Sequence, residues 1–237
     1  MNSGIKAGFI LGVSLIIAAL IFGSYFYRAQ NPGQTITVVG AASQQFEADT
    51  VKWTLNIEED IPGDNLSAGY ERLKAIREKI FALLEAKGIG RDSVTMKPAQ
   101  VYKEYDYTSE TRIFRGYHFQ QTLYVITGQV DTVEKMAFDP VELLDGATIN
   151  SNLEYFYTGI DELKKELVGE ATKNARERAE RMVAQTDVKV GKIISVRSGV
   201  FQITEPNSTR VESGGIHDPS TRQQEIRVTA HVTFSLK

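Results

Sequence analysis

Few residues in this chain have the type and spacing that could do chemistry. Its three histidines, His118, His217 and His231, fall in separate segments, with no His-x-x-x-His repeat and no carboxylate at ligand spacing. His118 alternates with Tyr117 and Phe119, and His231 lies on the polar face of an alternating run. Both read as sheet-surface residues, and no metal is expected. Glu58-Glu59-Asp60 has the carboxylate density of an acid–base pair or a cation site. Its position just before Pro62-Gly63 reads more simply as the charged end of a strand. Gly-x-Ser-x-Gly, P-loop and dinucleotide fingerprints are absent. The chain has no cysteine, which removes disulfides, thiolate metal sites, thiol nucleophiles and a lipoprotein acylation site. No catalytic residue and no cofactor are therefore expected, and the chain reads as non-enzymatic.

The denser signal is aromatic. Tyr102, Tyr105, Tyr107, Phe114, Tyr117 and Phe119 cluster around one polar connection. They fit sheet packing with an amphipathic hairpin tip. They also fit a subunit contact, because tyrosine is favoured in interface cores. Base stacking is disfavoured, since only Lys103, Arg112 and Arg115 accompany the rings. A net charge of -3 leaves no basic excess to displace phosphate counterions, so no nucleic-acid partner is expected.

The elements that must position these residues follow from periodicity. Ile36–Gly40 reads as a short strand, and Val51, Trp53, Leu55 and Ile57 alternate with polar residues in a second. Leu66, Tyr70, Leu73, Ile76, Ile80 and Leu83 recur at helical spacing over 65–87, with Gly88 as a stop. Val94–Tyr105 and Tyr117–Thr127 read as strands flanking a wide connection, and Val130–Leu144 as a helix containing Pro140. Thr148–Thr158 is an alternating strand. A long helix from Asp161 to about Thr186 carries Ala171, Ala175 and Ala179 at four-residue steps, small enough for close backbone approach. Its charged faces allow i,i+4 pairs such as Glu177 with Arg181. Val190–Ile203 is a strand, 204–224 a mobile loop, and Ile226–Leu236 a strictly alternating strand. The order β-β-α-β-β-α-β-α-β-β predicts one α+β domain over 35–237, with a mainly antiparallel sheet and helices packed on one face.

Residues 1–6 form a short tail before this pattern, and Ala7–Tyr27 is uncharged for 21 residues, enough helix to cross about 30 Å of hydrocarbon. It reads as an uncleaved transmembrane anchor that places the chain on a lipid bilayer. A cleaved signal peptide is the rival, but its apolar run is normally shorter. Lys6 and the amino terminus outweigh Arg28 by a small margin, which favours an extracytoplasmic large domain. Residues 28–34 read as a linker.

Four strings occur in order: Val38-Val39-Gly40, the helix exit Leu83-Leu84-Glu85-Ala86-Lys87-Gly88-Ile89, Tyr105-Asp106-Tyr107 with Gly116-Tyr117, and Val188–Ser195 (VKVGKIIS). In that order and spacing they resemble the SIMPL-domain family of bacterial envelope proteins. The sequence departs from the family where Ala42 replaces a glycine and Ala48-Asp49 stands for Pro-Asp. The resemblance implies a secreted or envelope-anchored α+β domain without established catalytic residues, here expected in the periplasm. Some relatives form large ring- or channel-like homo-oligomers, and some are linked to oxidative-stress tolerance. The resulting expectation is a self-assembling membrane protein. The alternative is a monomeric or dimeric module that binds a ligand or protein through the 204–224 loop and the tyrosine hairpin, its protein partner unknown.

Overall fold

A computed structural model describes residues 3–30, 34–107, 112–139 and 148–237. Helix α1 (Ser3–Gln30) contains the apolar stretch Gly8–Tyr27, 20 residues long. At 1.5 Å per residue it spans about 30 Å, so it is a candidate membrane span, the property shared by an anchor and a signal sequence. Of the expected linker over 28–34, residues 28–30 continue α1, and 31–33 lie outside the described residues.

Ten strands and three further helices follow. They are β1 (Thr35–Glu47), β2 (Thr50–Pro62), α2 (Leu66–Ala86), β3 (Val94–Met96), β4 (Gln100–Asp106), β5 (Ile113–Thr127), α3 (Val130–Phe138), β6 (Thr148–Phe156), α4 (Ile160–Val183), β7 (Val190–Ser198), β8 (Gln202–Thr204), β9 (Ile216–His217) and β10 (Gln223–Leu236). The protein is α+β with antiparallel pairing dominant, but its strands divide between two five-stranded sheets. Two compact units result, and β1, α4 and β10 contribute a segment to each.

One unit gathers 1–42, 168–199 and 228–237. Here β10 lies between β1 and β7, with Val232 opposite Val196 and His231 opposite Arg197. The alternation read from the sequence holds on β10 from Val228 onward: Val228, Ala230, Val232 and Phe234 are buried, while His231 is exposed. Helix α4 packs through Ala171, Ala175 and Ala179, all fully buried. Gly40 explains why small residues are needed there. A Cβ at that position would lie 2.0 Å from the Ala171 carbonyl oxygen and 2.4 Å from the Ala175 nitrogen. The close approach is locked by polar bonds, with the Ala41 N–H donating to Asn174 Oδ1 at 3.1 Å and Arg178 donating to the Val39 carbonyl. The i,i+4 pair seen on this helix is Arg176–Glu180 at 3.6 Å.

The other unit gathers 43–167 and 200–227. Its sheet is ordered β3-β5-β2-β6, with β4 also on β5. Central β2 buries Val51, Trp53, Leu55 and Ile57 completely against Leu73, Ile76, Ile80 and Leu84 of α2. Asn65 caps α2 by accepting from the Ala68 N–H at 3.1 Å, and Gly88, at φ 82°, ends the helix in the left-handed region.

Several expectations change in extent, among them the strand expected from Tyr117, which begins at Ile113. The first strand runs thirteen residues rather than five. The strand expected over 94–105 breaks at Lys97-Pro98-Ala99, where proline lacks the N–H a ladder needs. That expected over 190–203 breaks at Gly199, whose N–H turns to the Thr229 carbonyl. Helix α3 ends at Phe138, and Val141 and Leu144 of the longer expected helix lie outside the described residues.

The segment expected as a mobile loop carries β9, paired in parallel with β8, and an Arg210–Asp218 bond of 2.8 Å. Arg222 bonds Glu47 at 2.6 Å, Asp131 at 2.5 Å and Glu134 at 3.0 Å. The Tyr155 hydroxyl donates to the same Glu134, and burial together with that carboxylate pushes its phenol up to about 12. Glu225 is held down to about 2, first by Arg227 at 2.7 Å and also by the Asn207 N–H.

Two outcomes are expected. Gly40→Val forces a side chain into helix backbone and should cost about 3 kcal/mol, read from the urea midpoint. Because the folded Glu225 carboxyl lies below its ordinary 4.5, its contribution is complete above that pH and fades as pH falls toward 2. Glu225→Gln should flatten the loss of stability across that acid window.

Candidate functional site

The β2–β5 register determines what stands beside what. Asp60 faces His118 and Glu59 faces Phe119 across the pair, and Tyr102 of β4 takes the other side of His118. Side chains alternate between sheet faces. Phe119 and Tyr117 therefore enter the core, and His118 points to the opposite face with Asp60, Tyr102 and Glu104.

The six aromatic candidates separate by this rule. Phe119 is completely buried and Tyr117 is 9% exposed, while Tyr102 and Tyr107 are 51% and 72% exposed. Tyr105, Phe114, Tyr117, Phe119 and Tyr70 form a ladder of edge-to-face rings with centroids 5.6, 5.2, 6.4 and 5.3 Å apart. A register shift between Glu104 and Tyr105 places Tyr105 beside Phe114, at the outer end of this ladder. Gly69 of α2 makes room at the inner end, since a Cβ there would meet the Phe119 ring at 2.0 Å. The Tyr117 hydroxyl donates to Asp64 at 2.7 Å, and that carboxylate raises the phenol above its ordinary range. Four of the six residues are thus packing residues first. Tyr102 and Tyr107 present rings to solvent, with Arg112 over the Tyr105 ring at 3.6 Å.

Tyr102, Glu104, Tyr105, Tyr107, Arg115 and His118 line an open depression of about 390 Å³. Arg115 is bonded to Asp106, which raises the guanidinium above its ordinary range. His118 Nδ1 lies 2.6 Å from Asp60 Oδ1. Donor atoms of Asp60, Glu104 and His118 all fall within 4.8 Å of one another. Residues 58–60 form the charged end of β2, which closes at Pro62 as expected. Glu58 takes a bond from Asn150, and Glu59 turns inward toward Arg72 at 3.4 Å. The grouping of 60, 104 and 118 escapes a linear reading because the residues lie on three strands. The available signal was the alternation of His118 against Tyr117 and Phe119.

The fold and this site define an α+β protein behind a candidate membrane-spanning helix, presenting an open sheet-edge surface rather than an enclosed pocket. The chain belongs to the SIMPL family, described as a protein of unknown function (DUF541), whose model matches residues 36–235. No curated protein matches the chain.

Substitutions should separate the rings by role. Tyr102→Ala should change stability by less than about 0.5 kcal/mol. Tyr117→Phe should cost about 1 kcal/mol through the lost bond to Asp64, and Phe119→Ala about 4 kcal/mol, all read by urea unfolding.

Proposed function

We propose that this is a non-enzymatic, single-pass protein of the bacterial cell envelope, held by the 7–27 helix with its large part in the periplasm. It self-assembles into a ring-, shell- or channel-like homo-oligomer and contributes indirectly to envelope or oxidative-stress tolerance. The observation that carries assembly is the edge of β7. Among the described residues this nine-residue strand pairs only with β10, and its Ile193, Ile194 and Val196 are 44%, 53% and 43% exposed. Such an edge offers unpaired backbone groups and apolar surface together, which is a template for another chain.

Charge supports a head-to-tail arrangement. Within β7 the charged residues are Lys192 and Arg197, so pairing it with its own copy would bring only like charges together. A contact between two different edges avoids that conflict and, if the rotation closes, generates a ring. The β4 edge, with Tyr102, Tyr107 and the carboxylate of Glu104, is a suitable counterpart. Anchoring each subunit by one helix would add retention at the bilayer through multivalency.

Light scattering of the detergent-solubilised full chain tests this reading. A defined mass of many subunits is expected, reduced toward one subunit by Ile194→Lys. A single-subunit mass across a wide concentration range would refute assembly.

A further inference from the structure

The geometry points to a divalent-cation site of the zinc class on the outer face of the β4–β5–β2 strands, formed by Asp60, Glu104 and His118. Each residue comes from a different strand, and the ladder that unites the strands sets their spacing. Asp60 is directly opposite His118, and Glu104 lies two residues beyond Tyr102, the other cross-strand neighbour of His118. Between Pro62 and Glu104 the ladder places Gly116, which has no side chain to fill the space. A Cβ there would meet the Ile61 carbonyl oxygen at 2.2 Å. Strand-borne donors of this kind are held more precisely than donors on loops.

The donor set is one imidazole nitrogen with two carboxylates, a mixture suited to zinc or its neighbours. Calcium prefers six to eight oxygens, and magnesium keeps most of its waters. With zinc–ligand distances of about 2.0–2.2 Å a tetrahedral site sets donors roughly 3.3–3.6 Å apart, so donors within 4.8 Å need to close by only about 1 Å, within reach of side-chain rotation. Asp60 and Glu104 are exposed and free to make it.

Charge gives a second, independent reason. Among the described residues the Glu104 carboxylate has no hydrogen bond or ion pair, and that of Asp60 is paired only with His118. The nearby Arg115 is engaged by Asp106. Two carboxylates therefore converge on an imidazole without a cation of their own. Three protein donors leave a fourth position open toward the depression lined by Tyr102, Tyr105 and His118. Sites with such an open position accept water or a ligand donor.

Isothermal titration of the detergent-solubilised full chain with zinc chloride tests the assignment, with magnesium chloride in parallel. One zinc per chain is expected at micromolar concentrations, with no comparable binding of magnesium. His118→Asn, Asp60→Asn and Glu104→Gln should each weaken zinc at least about tenfold while circular dichroism stays unchanged. His217→Asn and His231→Asn should bind as the parent does. Absence of saturable zinc binding below millimolar, or undiminished binding by His118→Asn, would overturn the site. Loss of binding in the His217 or His231 variant instead would overturn it equally.

Discussion

The register of β2 against its two neighbours is the constraint on which the larger unit depends. Val51 to Pro62 pair residue for residue with β5, and Thr50 to Glu58 pair with β6. One face of β2 is completely buried at Val51, Trp53, Leu55 and Ile57, so slipping by one residue would expose all four and bury Lys52, Asn56 and Glu58. The penalty for that exchange pins the register. Everything on the other face follows from it, including Asp60 beside His118 and the bond from Thr122 to Asn56 at 2.8 Å. The surface chemistry of the hairpin is therefore set by packing on the reverse side of the sheet.

The smaller unit depends on a different limit, the distance between backbones. Gly40 and the buried alanines of α4 allow helix and strand to approach until main-chain atoms leave no space for a methyl group. Residues usually regarded as featureless thus carry the specificity. In the larger unit the corresponding role falls to charge. Arg222 joins the end of β1 to α3 through three carboxylates, and Glu225 with Arg227 secures the turn at Asn207. A partly buried arginine suits that task, because its planar fork can serve several oxygens at once.

With the cores closed this way, what remains outside is informative. The exposed apolar residues of β7 and the ring of Tyr102 lie on strands that have one unpaired edge among the described residues, and Tyr107 directly follows β4. Soluble proteins usually blunt such edges by charge, proline or coverage. Here Lys192 and Arg197 discourage self-pairing of β7 without masking its isoleucines.

Composition and period alone determined much of this protein. The absence of charge from Ala7 to Tyr27 identifies the candidate span, and period-two runs on β2 and β10 identify their buried faces. The heptad-like stripe of α2 and the alanine steps of α4 were legible for the same reason: each is a local pattern that one element displays by itself. The lengths of β1 and β5 were not, because polar residues such as Gln44 and Arg115 join a strand only when a neighbour supplies the ladder. Nor could the aromatic cluster be divided into packed and exposed members. Tyr105 and Tyr107 look alike in sequence, and only a register shift at Glu104 and the ring of Phe114 distinguish them. The meeting of Asp60, Glu104 and His118 was decided by tertiary structure alone, because cross-strand pairing brings together side chains that the chain itself keeps far apart.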